Sequence, residues 1–234
     1  MVDGRFRTSI LTEPANGRRP ARTAESRRRL GMIFRNYRGP EGEAFWVDRE
    51  GTGPYDGPET RTLADRCLTS FGSTVPALPT LYNNTKRIVQ TDDRVMLLNE
   101  MVHDARVIRI GGEHPPSDVT FWYGDSIGRW EGDTLVVETT NFKDNRHTFG
   151  GGTPTLKIIE RFTRKDEDTL HYGFEVHDPA EWTAPWKGDF TWPATDGKVY
   201  EYACHEGNYA MGNIMRGARI LEKDALAAKG SGDR

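Results

Sequence analysis

From Lys86 onward the chain repeatedly alternates apolar and polar residues with a period of two, a regularity that the first 85 positions lack. Leu156, Ile158 and Phe162 alternate with Lys157, Arg161 and Thr163, and Leu170, Tyr172, Phe174 and Val176 alternate with His171, Glu175 and His177. Such alternation predicts antiparallel strands with one face on a core and the other in water. Gly124–Phe142, GDSIGRWEGDTLVVETTNF, reads as a β-hairpin. Its turn, Glu131-Gly132-Asp133, joins a polar strand to an apolar one and crowds acids, Arg129 and Trp130 at one end. A second hairpin is predicted from Ile88-Val89 through the turn Asp92-Asp93 to Val95–Val102, and a strand follows at Arg106–Ile110, ending at Gly111-Gly112. Leu156–Arg164, the turn Lys165–Asp168 and Leu170–His177 form another pair, with Phe190–Trp192 and Val199–Ala203 beyond it. About eight to ten strands of this kind close most naturally into a mainly β architecture, an antiparallel meander or lipocalin-like barrel, because closure removes exposed edges. A helix over Asn208–Ala227, loosened by Gly212 and Gly217, ends the pattern.

The remainder divides in two. Residues 1–40 are an arginine-rich arm in which Pro14, Asn16-Gly17 and Pro20 favour extended chain. Thr23 is placed to cap a short helix running to Ile33. Residues 41–85 are irregular, broken by Gly51, Pro54, Gly57-Pro58, Pro76 and Pro79, with a short helix expected at Leu63–Leu68 under a Thr62 cap. The expected organisation is therefore the arm, 1–40, and one barrel-like domain, 41–234, that includes the irregular segment and the C-terminal helix. The arm lacks the aromatic interleaving of a nucleic-acid grip, so no nucleic-acid partner is expected. It is expected to wrap the acidic body or to reach a second subunit, giving a homo-oligomer.

Composition changes this picture only at the margins. A formal net charge of -3 gives no overall pull towards nucleic acid or anionic membrane. No window approaches the ~18 apolar residues of a membrane span. No basic-then-apolar leader is legible at the start, which fits a cytoplasmic chain, or a trimmed mature form that is periplasmic or secreted. Cys67 and Cys204 lie far apart and in no CxxC motif. They read either as buried thiols or, in an exported protein, as a disulfide.

Candidate chemistry gathers at predicted strand ends. Cys204-His205-Glu206-Gly207-Asn208-Tyr209 follows a strand and offers imidazole, carboxylate, amide and phenol together. His103-Asp104 ends another strand, where an imidazole oriented by a carboxylate can act as general base. Tyr123, Asp125 and Arg129 lie by the mouth of the GDSIGRWEGD hairpin, and Tyr82 and Asn84 on the loop before the strands; such groups orient small polar substrates. Trp182, Trp186, Trp192 and Phe190 form an aromatic cluster suited to a core, a lid or a stacking platform for a ring. His147, before Gly150-Gly151-Gly152, is placed to close over a pocket, whereas His114 reads as loop decoration. Phosphate-cradling, nucleophile-elbow, zinc-type and dinucleotide motifs are all missing, so no cofactor is expected.

The stretches GDSIGRWEGDTLVVETTNF, RFTRKDEDTLHYGFEVHDP and YEYACHEGNYAMGNI together resemble those of a large family of bacterial, often exported, β-rich proteins. The likeness spans roughly residues 60–223. It implies bacterial origin and export, and carries no mechanism. Three functions follow from the residues. The first is a metal-independent lyase or isomerase acting on a small ring-containing molecule in the barrel mouth. There His103 or His205 moves the proton beside Asp104 or Glu206, and Tyr123, Asn208 and Arg129 stabilise developing charge. The second is a lipocalin-like carrier, which should show an apolar cavity with few converging ionisable groups. The third is a metal-dependent hydrolase using His103, His205 and Glu206.

Overall fold

The computed structural model describes residues 6–37, 42–70, 75–145 and 152–232. Nine strands form one sheet: β1 (Leu11–Glu13), β2 (Lys86–Gln90), β3 (Arg94–Asn99), β4 (Ala105–Ile110), β5 (Asp125–Glu131), β6 (Thr134–Thr140), β7 (Lys157–Arg164), β8 (Thr169–His177) and β9 (Trp186–Pro193). Their order, β1-β9-β8-β7-β6-β5-β4-β3-β2, leaves β1 and β2 on opposite edges, so the mainly β sheet curls into a half-barrel without closing. The hairpin that dominates the sequence is present: Glu131 pairs with Thr134 across a two-residue turn. Gly132 occupies its first position at φ +59, a conformation that disfavours any residue with a Cβ.

One pairing departs from the antiparallel expectation. β4 and β5 run parallel, with Ile108 opposite Ser126. The connection 111–124 carries the chain back along the sheet before β5 begins. Asn141 pins that crossover, its side-chain amide donating to the carbonyls of Pro115, Pro116 and Val119. Two smaller expectations also fail. Leu63–Leu68 forms turns rather than a helix, although Thr62 does accept the Asp65 N–H at 3.1 Å. Val199–Ala203 is exposed or half-exposed and unpaired; β9 instead begins at Trp186, where it can pair along the whole of β8.

The concave face carries the core. Val95, Leu97, Ile108, Leu135, Val137, Phe162, Tyr172, Phe174, Val176 and Trp186 line it, and Ala77 from the irregular segment packs among them. The arm belongs to this same body. β1 extends the sheet at β9, and Arg22 and Arg29 both pair with Glu181. Arg19 lies over Trp186 at 4.9 Å and Arg22 over Trp182 at 4.4 Å, so guanidinium stacking adds to the charge pairing. Helix α1 (Ala24–Tyr37) starts at the expected cap, with Ser26 N–H donating to Thr23 Oγ1 at 3.1 Å.

Gly188 sets how closely the arm can approach. A Cβ there would lie 2.5 Å from the Phe174 ring and 2.6 Å from the Ile10 carbonyl. Gly188→Ala should therefore cost ~1–3 kcal/mol by overpacking. Limited proteolysis should show the arm cleaved faster than in the parent; an unchanged digest would mean that β1 contributes little to holding it.

At the other end, α2 (Cys204–Gly207) and α3 (Tyr209–Gly232) pack on the irregular segment. Trp46 Nε1 donates to Glu222 at 2.7 Å, and Asn208 Nδ2 to the Asp65 carbonyl at 2.8 Å. Cys67 and Cys204 are joined in a disulfide, Cα atoms 5.8 Å apart, which resolves the alternative left open by the sequence. Among the described residues no helix is long and apolar enough to cross a membrane.

Candidate ligand cavity

Because the half-barrel is open, its concave face is only partly filled. The segment through Ala77 and Leu78 plugs one end, and the rest forms a cavity of about 910 Å³. That volume lies within the usual range for small-molecule sites. Much of its wall is apolar, through Val95, Leu97, Ile108, Leu135, Phe162 and Trp192, while Gln90, Thr169 and Thr191 also line it. The aromatic side chains hold one another in place, with Tyr172 stacked on Trp192 at 4.8 Å and edge-on to Phe190 at 5.4 Å. The mouth lies at the β5–β6 and β7–β8 turns, where Trp130 stands among the charged residues Asp133, Arg164, Asp166, Glu167 and Asp168.

A buried polar network backs the plugged end. Arg106 Nη1 and Nη2 donate to Glu160 Oε2 and Oε1 at 2.5 and 3.0 Å, and the carboxylate side chain is 0% exposed. Tyr172 Oη donates to Glu160 Oε1 at 2.7 Å and accepts the Ala77 N–H at 2.8 Å, which ties the plug to the sheet. Burial opposes the charge on Arg106, but the Glu160 carboxylate and its hydrogen bonds outweigh that, holding the guanidinium above its ordinary value. Burial, and then the Glu160 charge, push the Tyr172 phenol well above its ordinary range, so it remains a hydrogen-bond donor.

A small recess adjoins the cavity and shares Ala77, Lys86 and Leu97 with it. Asp104 and Tyr123 line the recess, and the Tyr123 hydroxyl donates to Asp104, which also accepts the Ser70 N–H at 3.1 Å. Lys86 stands at the junction. Its Nζ donates to Asn99 Oδ1 at 2.9 Å and sits 5.9 Å from the Trp192 ring centre. Burial, followed by the nearby Arg106 charge, lowers its pKa.

Of the residues singled out in the sequence, the fold brings Asp104 and Tyr123 together and places Asn84 on the cavity wall. His103 is exposed, in a 3-10 turn over Met101–His103, and lines neither cavity nor recess. His205 and Glu206 are exposed on α2. Asn208 serves the chain itself, capping α3 by accepting the Met211 N–H at 3.2 Å. Arg129 and Asp125 point away from the cavity on the convex face. Arg129 pairs there with Glu131, while Asp125 binds Arg109 at 2.8 Å and His114 Nδ1 at 2.6 Å. His114, read as decoration, is thus a hydrogen-bond partner of Asp125 beside its Arg109 ion pair. Tyr82 is half-exposed on its loop, and Trp186 is buried in the core against Phe174. His147 lies outside the described residues. Among the described residues, no group of three or more His, Cys, Asp or Glu side chains is arranged to hold a metal ion.

Lys86, Arg106 and Glu160 were missed, and two of them had a signal. Arg106 precedes Ile108 and Ile110 on one face of β4, and Glu160 lies between Ile158 and Phe162 on one face of β7. A charge in the apolar phase of each alternation marks an inward pair. Comparison with known proteins adds no identification: no family model matches the chain, and no curated protein or solved structure shows significant similarity to it.

Proposed function

We propose that the chain is a lipocalin-like carrier that binds a small, largely apolar, ring-containing molecule in the half-barrel. The cavity of about 910 Å³, apolar over most of its inner wall and charged at its mouth, carries this conclusion. Proton-transfer catalysis has less behind it, because His103 and His205 are exposed and neither lines the cavity. The ionisable groups behind the plug are engaged with one another, as a structural network requires. The disulfide favours an oxidising compartment, in line with an exported bacterial protein.

Ile88 tests the cavity with little risk to the fold, since it lines the wall from an edge strand and is 44% exposed. Neutral naphthalene probes titrated against tryptophan fluorescence should bind the parent protein. In Ile88→Glu their affinity should fall roughly tenfold or more, because a charge beside an apolar ligand is costly. Failure of every apolar probe to bind the parent, or unchanged affinity in the folded variant, would sink the carrier function.

A further inference from the structure

The cavity wall has an unusual inner end. Lys86 reaches it with no carboxylate within salt-bridge distance among the described residues. One hydrogen bond, to Asn99, leaves two of the three ammonium donors unused. Arg106, which lines the same recess, is neutralised by Glu160. Asp104, which shares the small recess, is held by Tyr123 and Ser70. Arg164 differs: it stands at the mouth, and its guanidinium donates to the carbonyls of Asp166 and Glu167. A cation at the inner end of an apolar cavity matches a ligand with one anionic end and an apolar body.

We propose that Lys86 is the anchor for a monocarboxylate ligand. The carboxylate accepts from Nζ, and the ring or hydrocarbon body lies along Leu97, Ile108, Leu135, Phe162 and Trp192. A ligand carboxylate supplies the counter-charge that the chain withholds, and a charge-assisted hydrogen bond is among the stronger polar contacts. The same geometry gives direction to binding, acid end first and body towards the mouth. This anchor rests on the carrier function proposed above.

Paired probes separate the two. 2-Naphthaleneacetate and 2-naphthaleneethanol, and decanoate and decan-1-ol, differ within each pair in the charged end. Calorimetric titration of the parent protein should show each acid binding roughly tenfold to a hundredfold tighter than its alcohol. In Lys86→Met that ratio should fall to near one, and Lys86→Arg should restore part of it. A ratio near one in the parent, or the parent's ratio persisting in Lys86→Met, overturns the anchor while leaving the cavity in place. If neither member of either pair binds the parent, the carrier function fails and the anchor falls with it. The ratio in the parent decides the matter even where a variant does not fold.

Discussion

Arg106→Met should destabilise the protein by ~3–5 kcal/mol, because it strands the Glu160 carboxylate in a site closed to bulk solvent. For a chain of this size that corresponds to a fall of roughly 10 °C in thermal midpoint. The cause is specific. Glu160 is 0% exposed, takes both Arg106 donors, and receives the Tyr172 hydroxyl on the same oxygen as one of them. Removing the cation leaves one phenol to offset a full buried charge. The double variant Arg106→Met, Glu160→Met should regain more than half of the loss, since apolar replacement of a whole buried pair is often near neutral. Differential scanning calorimetry on the parent, both singles and the double closes the cycle. If the single Arg106 variant melts within a degree or two of the parent, the pair is not holding the plug.

Reduction of Cys67–Cys204 should be comparably damaging. The bridge closes a loop with a sequence separation of 137, for which loop-closure entropy gives about 5 kcal/mol. It also couples the irregular segment to the C-terminal helices, because Cys67 lies in the turns beside Asp65 and Cys204 opens α2. Urea unfolding with and without reductant, and of Cys67→Ser, Cys204→Ser, should show the midpoint drop in both cases by similar amounts. The C-terminal helix is expected to become protease-sensitive first, since its contacts are with the stapled segment: Trp46 to Glu222 and Tyr55 to Arg219. Unreduced, denatured protein should carry no reactive thiol; finding two would refute the bridge.

The strands were largely legible because period two is a local property. β2 and β3 fall where Ile88-Val89 and Val95 onward predicted them, and β5 and β6 flank the expected Gly132 turn. Thr23 capped its helix as a side-chain oxygen at that position should. The parallel β4–β5 pairing was not legible, since it depends on where the chain returns after a long crossover. The faces of GDSIGRWEGD were likewise not assigned from the sequence. Alternation from the buried Ser126 and Gly128 puts Asp125 and Arg129 outside, but a serine and a glycine do not mark the inner phase of a strand as Ile or Val would. His103 and Asp104 are adjacent in sequence yet separate in environment, one exposed and one buried, because the turn at Val102 (φ 60) sends them to different sides. The candidate cavity was the least visible feature. It arises from incomplete filling of the sheet's interior by Ala77 and Leu78, and no local pattern records what a distant segment fails to cover.

The unpaired edges have a consequence for cargo range. In a closed barrel, strand number and stagger fix the radius, and the interior then measures its guest like a gauge. A sheet whose first and last strands do not meet carries no such ring, so its curvature is kept by the side chains packed within it. The bore can flex with its contents at little cost in backbone pairing. Discrimination should then be loose over the width of a guest's body and strict at its fixed inner end. On the carrier function and anchor proposed above, such a site reads headgroups and tolerates what trails behind them.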